Sequence, residues 1–541
     1  MALPIISIAA LVLILTLAIY QYVILPVFLS PLAKIPNAHW SAPLSRLWIL
    51  YHRSREEETP TVHLAHQRHG PIIRIAPNEV SVNSIDGGIR TIYAGGFEKG
   101  DWYKNVFNNY GIMPMFAMPE HAPHSKRKRM LSNIYAKSTL QNSPAIYAIS
   151  KALLDDRLMP CLRDLNRKGN PIEFYDVFAA ITMDFVTAYV FGLRNSSALI
   201  ERPDMNRKFF RDYKARQRYQ FWPQDLPLVT SILGKLGLKW LVVPEWVNQA
   251  NSDIEAWILS MCDKAEGTLN QLDDCEVGNR AENYPTVYAQ LRNALLKENS
   301  SSKGSDDSSV ARAVRDCRLE VASEMLDHTL AGFDTSSITL TFYAWELSRS
   351  SNKHWQDRLR RELLSLPDKH DAKAVDALPI LHATLMETLR LHAAIPGNQP
   401  RITPASATLG VPGPNNLHIT DLPAGVRVQS QAWSLHRNPS VFPEPEKWNP
   451  GRWLEASYPS KTDYMAAQKE MSRWFWAFGS GGRMCVGSNL AMLDMKAIIA
   501  SIWGTYRTEV VYDRGMVHRG GYVAEPIGKE GKYCMLKLEE N

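Results

Sequence analysis

Cysteine is scarce in this chain of 541 residues, with six at Cys161, Cys262, Cys275, Cys317, Cys485 and Cys534. No two stand as Cys-x-x-Cys, which argues against a structural zinc site or a thioredoxin-type pair, and six are too few for a disulfide scaffold of this length. Most read as buried thiols in a reducing compartment. Surplus charge is also small: a net +6 over the whole chain does not imply a nucleic-acid partner, and there is no zinc-finger spacing or basic low-complexity arm. No internal repeat is present. Gly-Lys-Ser/Thr, Gly-x-Ser-x-Gly and His-Glu-x-x-His are all missing. Gly95 to Gly100 has phosphate-loop spacing, but Asp101 stands where a lysine is required. His63, His66 and His69 fan around a helix and do not converge on a metal. Only one apolar run is long enough to cross a bilayer, so a multi-span membrane protein is excluded. What the chain does have is 45% apolar and 10% aromatic residues, enough for a large core, and this rules out general disorder, collagen and coiled coil.

The apolar run is Ile5 to Leu25, IISIAALVLILTLAIYQYVIL, and no charge appears before Lys34. As a helix it would span roughly 30 Å, the hydrocarbon thickness. It has no basic flank before it, no clear Ala-x-Ala site after it, and exceeds the length of a signal-peptide core, so it reads as an uncleaved anchor. Lys34, Arg46, Arg53 and Arg55 follow it, which places the C-terminal part in the cytosol. The expected organisation is a transmembrane anchor over 1–30, a proline-rich linker over 31–50 and a single catalytic domain over 51–541.

Pro71 to Asn83 reads as strand pieces. Ala145 to Met159 and Tyr175 to Leu193 have helical spacing. Asn299 to Ser309 is polar throughout and reads as a mobile surface loop. No proline lies between Pro285 and Pro367, and Ala311 to Ser350 predicts one helix of ~35–40 residues, long enough to cross a whole globule. In its middle stands Ala331-Gly332-Phe333-Asp334-Thr335-Ser336, a weak, polar turn in a helix that is otherwise good. A second helix near Ile380 to His392 carries Glu387 and Arg390 on one face. Short strands and proline-dense coil follow, with Arg452 near the end. The fold class is mainly α with small β-sheets.

Phe478 to Gly487, FGSGGRMCVG, fits Phe-x-x-Gly-x-Arg-x-Cys-x-Gly at every fixed position. A thiolate on a glycine-rich loop that runs into a helix suits haem iron. Gly481 and Gly487 permit tight turns with positive φ, backbone N–H groups can stabilise the sulfur, and Arg483 offers a fork for a carboxylate. Phe478 can pack beside the sulfur and exclude water.

This loop resembles the haem-binding signature of the cytochrome P-450 superfamily. AGFDTS at 331–336 is similar to its oxygen-activation motif, ETLR at 387–390 matches Glu-x-x-Arg, and WNPGRW at 448–453 resembles the element that completes a Glu–Arg–Arg cluster, with Trp448 where the family more often has phenylalanine. The general style is similar to membrane-anchored fungal enzymes of specialised metabolism.

The resemblance implies the cytochrome P-450 fold behind one transmembrane helix, and haem b with Cys485 as the axial ligand of the iron. It also implies O2 as co-substrate and electrons from NADPH through a separate membrane-bound cytochrome P-450 reductase, with cytochrome b5 as an optional second donor. Asp334 and Thr335 would deliver protons. Phe478, Gly481, Arg483, Gly487, Arg401, His124 and Arg129 would hold the cofactor, and Glu387, Arg390 and Arg452 would be structural. Phe107, Phe116, Leu330, Phe333 and Ile395 are candidate contacts for a small apolar or phenolic substrate. The implied location is the endoplasmic reticulum membrane, single-pass, with a cytosolic catalytic domain. A redox-neutral haem-thiolate isomerase or dehydratase and a non-enzymatic haem sensor are the competing readings, and the Asp334-Thr335 pair argues against the first.

Overall fold

Charge-free sequence makes the first element. The computed structural model describes residues 2–271, 281–300, 307–413, 417–511, 513–528 and 534–540, and it begins with a helix, Ala2–Ile19, that continues more loosely wound through Tyr20–Leu29. Ser7–Leu29 is long and apolar enough to span a bilayer, and none of it is buried against the rest of the protein. Phe174–Phe191 passes the same test of length and hydropathy but lies almost wholly inside the molecule. A helix that is apolar all round belongs either in lipid or in a core, and here it is the core. Gly192, at φ +85°, ends it.

The proline-free stretch forms one helix, Asp307–Ser348, of 42 residues, or about 60 Å at ~1.5 Å per residue. It runs unbroken through Ala331 to Ser336 because the core helix supports the weak turn. Thr182 donates its hydroxyl to the Phe333 carbonyl at 3.1 Å. Gly332 sits so close to the core helix that a Cβ there would stand 2.7 Å from Val186 Cγ2, so glycine permits the approach. Residues 301–306 of the expected polar loop, and Cys275, lie outside the described residues, and the flanks of that loop are helical, Thr286–Ser300 and from Asp307 onward. Ala145 to Met159 is not a single helix. Pro144–Lys151 and Met159–Arg167 are joined by a looser turn, Ala152–Leu158, because Pro160 has no N–H to give to the preceding turn.

The strand pieces form a hairpin, Ile72–Ala76 with Glu79–Val82. Glu79–Val82 also runs parallel to Arg427–Gln429, which pairs antiparallel with Arg401–Ile402, completing a four-stranded sheet. Among the described residues there are three smaller sheets besides this one. The main apolar core is built from the core helix, the long helix, the Glu387 helix Pro379–Leu391 and the helix Ser488–Thr505. The architecture is thus mainly helical with small sheets, as the sequence predicts.

Candidate active site

Glycine-rich backbone delivers Cys485 to the start of the helix Ser488–Thr505. The Cys485 N–H donates to the Phe478 carbonyl at 3.0 Å, which folds the loop back on itself. Backbone N–H groups of Gly487 and Ser488 point at the sulfur, as the positive end of a helix would. Gly481 has φ +72°, and a Cβ there would stand 2.3 Å from the Tyr93 carbonyl oxygen, so the loop admits no other residue. Gly487 differs from expectation: its φ is −86°, and no atom crowds the place of a side chain. Phe478 is half-buried against the main core. Cys485 is exposed, whereas Cys161 is half-buried and Cys262, Cys317 and Cys534 are buried. Desolvation by the protein around it pushes the thiol pKa up, and the two N–H groups and the Lys128 ammonium pull it back toward the thiolate.

Beside the loop gathers a cluster of basic groups from separate segments. Lys128, on the helix His121–Leu131, donates to the carbonyls of Gly482 at 3.0 Å and Met484 at 2.8 Å. His124, one turn earlier on that helix, is buried, and burial together with Arg483, Lys99 and Lys128 pushes its pKa down to about 3. Lys99 is buried and its ammonium destabilised, first by desolvation and then by Arg401 and Arg483. Arg401 donates to the Tyr103 hydroxyl at 2.9 Å, and Arg483 donates to the carbonyls of Met118 and Pro119, both at 2.6 Å. None of these five has a carboxylate ion partner among the described residues, and Trp102 Nε1 and His124 Nδ1 are buried without any hydrogen-bond partner. Buried like charges that repel one another call for an anion. One exposed thiol at a helix N-terminus beside such a cluster fits an iron porphyrin with its two propionates. Arg129 stands outside this arrangement. It is exposed, and Lys128 takes the inward position beside the loop instead. Lys99 was not legible as a site residue, since nothing in its local sequence marks it.

The long helix lines a cavity of about 960 Å³ with Asp327, Leu330, Ala331, Asp334 and Thr335, a set at helical spacing on one face. Phe107, Phe116 and Ile395 also line it. Phe333 does not. It is 1% exposed and packs against Phe209, Phe210 and Tyr213, because the helix turns this position toward its neighbours in the core. Thr335 donates its hydroxyl to the Ala331 carbonyl at 2.9 Å. The Asp334 carboxylate is ion-paired with Lys214 and accepts from Tyr213 and Gln217, each at 3.1 Å, all three on the helix Pro203–Gln217.

Glu387, Arg390 and Arg452 meet in the interior. Arg390 grips Glu387 with two bonds, at 2.8 and 2.9 Å, and both side chains are fully buried. Arg452 reaches Glu387 at 3.2 Å, and Trp453 Nε1 and the Asn449 N–H supply further donors at 3.0 and 2.9 Å. Arg390 also donates to the carbonyls of His436, Pro445 and Lys447. His436, which the sequence did not single out, carries this network to the cysteine loop. Its Nδ1–H donates to the Arg390 carbonyl and its Nε2 accepts the Trp476 N–H, both at 2.7 Å.

Comparison with known proteins accords with this geometry. The family model described as Cytochrome P450 matches residues 41–518. Among curated proteins, the chain is 28% identical to cytochrome P450 monooxygenase avaI of Aspergillus versicolor over 431 residues, 78% of this chain and 92% of that one. It is 24% identical to cytochrome P450 monooxygenase FGM1 of Gibberella zeae, over 95% of each chain. It is 25% identical to tryprostatin B 6-hydroxylase of Aspergillus fumigatus, over 87% of this chain and 74% of that one.

Proposed function

Because the chain belongs to the cytochrome P450 family and is an enzyme of the monooxygenase type, we propose that it inserts one oxygen atom from O2 into a small organic substrate of specialised metabolism. Electrons come from NADPH through a separate reductase, the redox partner that membership of this family implies. The observation that carries this reading is the exposed Cys485 thiol, which receives two backbone N–H groups beside a basic cluster with no carboxylate ion partner among the described residues.

Bound haem supplies the iron at which O2 is reduced and its O–O bond broken, chemistry that a thiolate ligand favours. Cys485 holds the iron, and Lys99, His124, Arg401 and Arg483 hold the propionates, with Lys128 fixing the loop. The Thr335 hydroxyl gives its proton to the Ala331 carbonyl and turns its oxygen to the cavity, where it can accept a hydrogen bond. Asp334 takes protons from the side of Lys214 and Tyr213 and passes them to Thr335. Glu387, Arg390, Arg452 and His436 keep the loop in register beneath the cavity. The apolar wall of Phe107, Phe116, Leu330 and Ile395 excludes water and orients the substrate. The N-terminal helix anchors the protein in the endoplasmic reticulum membrane. Leu228, Val229 and Ile232, exposed on the helix Pro227–Lys235, add an apolar surface suited to a bilayer boundary.

The test is a carbon monoxide difference spectrum of the reduced protein. Wild type is expected to give the thiolate-ligated band and Cys485→Ser to lack it. Turnover with a reductase in labelled O2 is expected to place one labelled oxygen in the product. A colourless wild-type preparation overturns the proposal.

A further inference from the structure

Asp327 stands on the cavity-lining face of the long helix, one turn before Ala331 and two before Thr335. Its half-buried carboxylate makes no hydrogen bond or ion pair among the described residues. The other acidic groups of this face and its flank are already committed. Asp334 is bound to Lys214, Tyr213 and Gln217, and Glu324 accepts from the Met115 N–H at 2.9 Å and from Arg127 at 3.4 Å. His328 is bonded to Tyr135 at 2.7 Å. Of the basic groups that act on it, His328 comes first and Lys99 second, and the Lys99 ammonium is held by the Phe116 carbonyl within the basic cluster. A half-buried carboxylate left without a counter-ion of its own is costly unless something that enters the cavity neutralises it.

The walls near it are aromatic. Phe107 and Phe116 meet edge to face with ring centres 4.9 Å apart, and Tyr522 lies 6.2 and 6.3 Å from them. Trp102 stands 5.5 Å from Tyr522. Ring faces attract cations. Lys99 already exploits this, its ammonium lying 3.8 Å from the centre of Phe116 and 4.1 Å from that of Tyr103.

We propose that Asp327 is a specificity-determining residue that selects substrates carrying a positively charged amine on an apolar body. The proposal rests on the monooxygenase reading of the same cavity and names its substrate class. Eight residues separate Asp327 from Thr335, roughly 12 Å of helix axis. The amine is therefore held far from the oxygen-binding turn, and the oxidised carbon lies several bonds from the nitrogen. Burial first, and then Glu324, raise the Asp327 pKa to about 7, with His328 and Lys99 opposing. A bound cation favours the ionised form.

The experiment uses the full-length holoprotein in detergent and two probes: phenylbutyltrimethylammonium and its uncharged carbon isostere. The ammonium has no lone pair to offer the iron and no proton to titrate. Equilibrium dialysis gives the ratio of their affinities for wild type, Asp327→Asn and Asp327→Glu. Wild type is expected to favour the cation by about tenfold more than Asp327→Asn does, with Asp327→Glu recovering most of the preference. A ratio unchanged in Asp327→Asn, or a wild type that favours the isostere, overturns the proposal. The carbon monoxide spectrum of the same preparations reads the haem assignment independently, and the three proteins are expected to match in it.

Discussion

Lys214 and Asp334 form a buried ion pair between the helix Pro203–Gln217 and the long helix, their side chains 7% and 3% exposed. The pair joins the helix over the cavity to the turn that holds Thr335. It gives Asp334 a mechanical role beside the protonic one proposed for it, and substitution can separate the two.

Lys214→Met strands the Asp334 charge in the interior, so a loss of about 3–5 kcal/mol in unfolding free energy is expected. Asp334→Asn in the same background is expected to restore much of that stability without restoring the yield of product per NADPH consumed. Denaturant titration and a product-to-NADPH ratio check this. Recovery of both together would leave the pair a purely structural tie.

Glu387→Gln removes the charge at the centre of the Glu–Arg–Arg network and keeps its shape. Arg390 is then buried with no counter-ion, and the expected outcome is failure to retain haem. Full haem content with slow turnover would contradict it. Pigment per polypeptide in the purified variant is the measurement.

Lys99→Met tests a residue found only in the structure. If its ammonium faces a propionate, its loss removes one charge-assisted hydrogen bond of about 1.5–3 kcal/mol, and haem transfer to a scavenger protein should quicken roughly 10- to 100-fold. The unloaded protein should not lose stability, since burial of an ammonium beside Arg401 and Arg483 is itself unfavourable.

His436 gives a pH signature. Burial and the nearby Arg390 push its pKa down to about 3 from the usual 6.5, so the folded protein keeps it neutral. The unfolded chain takes up that proton first. Its contribution to stability is complete above pH ~6.5 and declines as the pH falls toward 3, by up to ~1.4 kcal/mol per pH unit. The stability advantage of wild type over His436→Gln should therefore shrink between pH 6.5 and 4, read from urea midpoints. A constant difference would show that the imidazole titrates alike in both states.

The sequence by itself settled the apolar N-terminal helix, the cysteine loop, the long helix and the Glu387–Arg390 pair. Each is written in neighbouring residues: a charge-free run, a glycine spacing, a proline-free stretch, and a three-residue step on one helical face. The tertiary structure decided which way shared faces point and which distant groups meet. Leu330 and Phe333 are both apolar on one helix, yet only Leu330 lines the cavity, because the packing of the core helix and Pro203–Gln217 fixes the rotation. Lys128, not Arg129, faces the loop for the same reason. Lys214 meets Asp334 across 120 positions and His436 meets Trp476 across 40. Pairings at such separations leave no local pattern, because they exist only once burial has brought the segments together and removed the water that would otherwise have screened them.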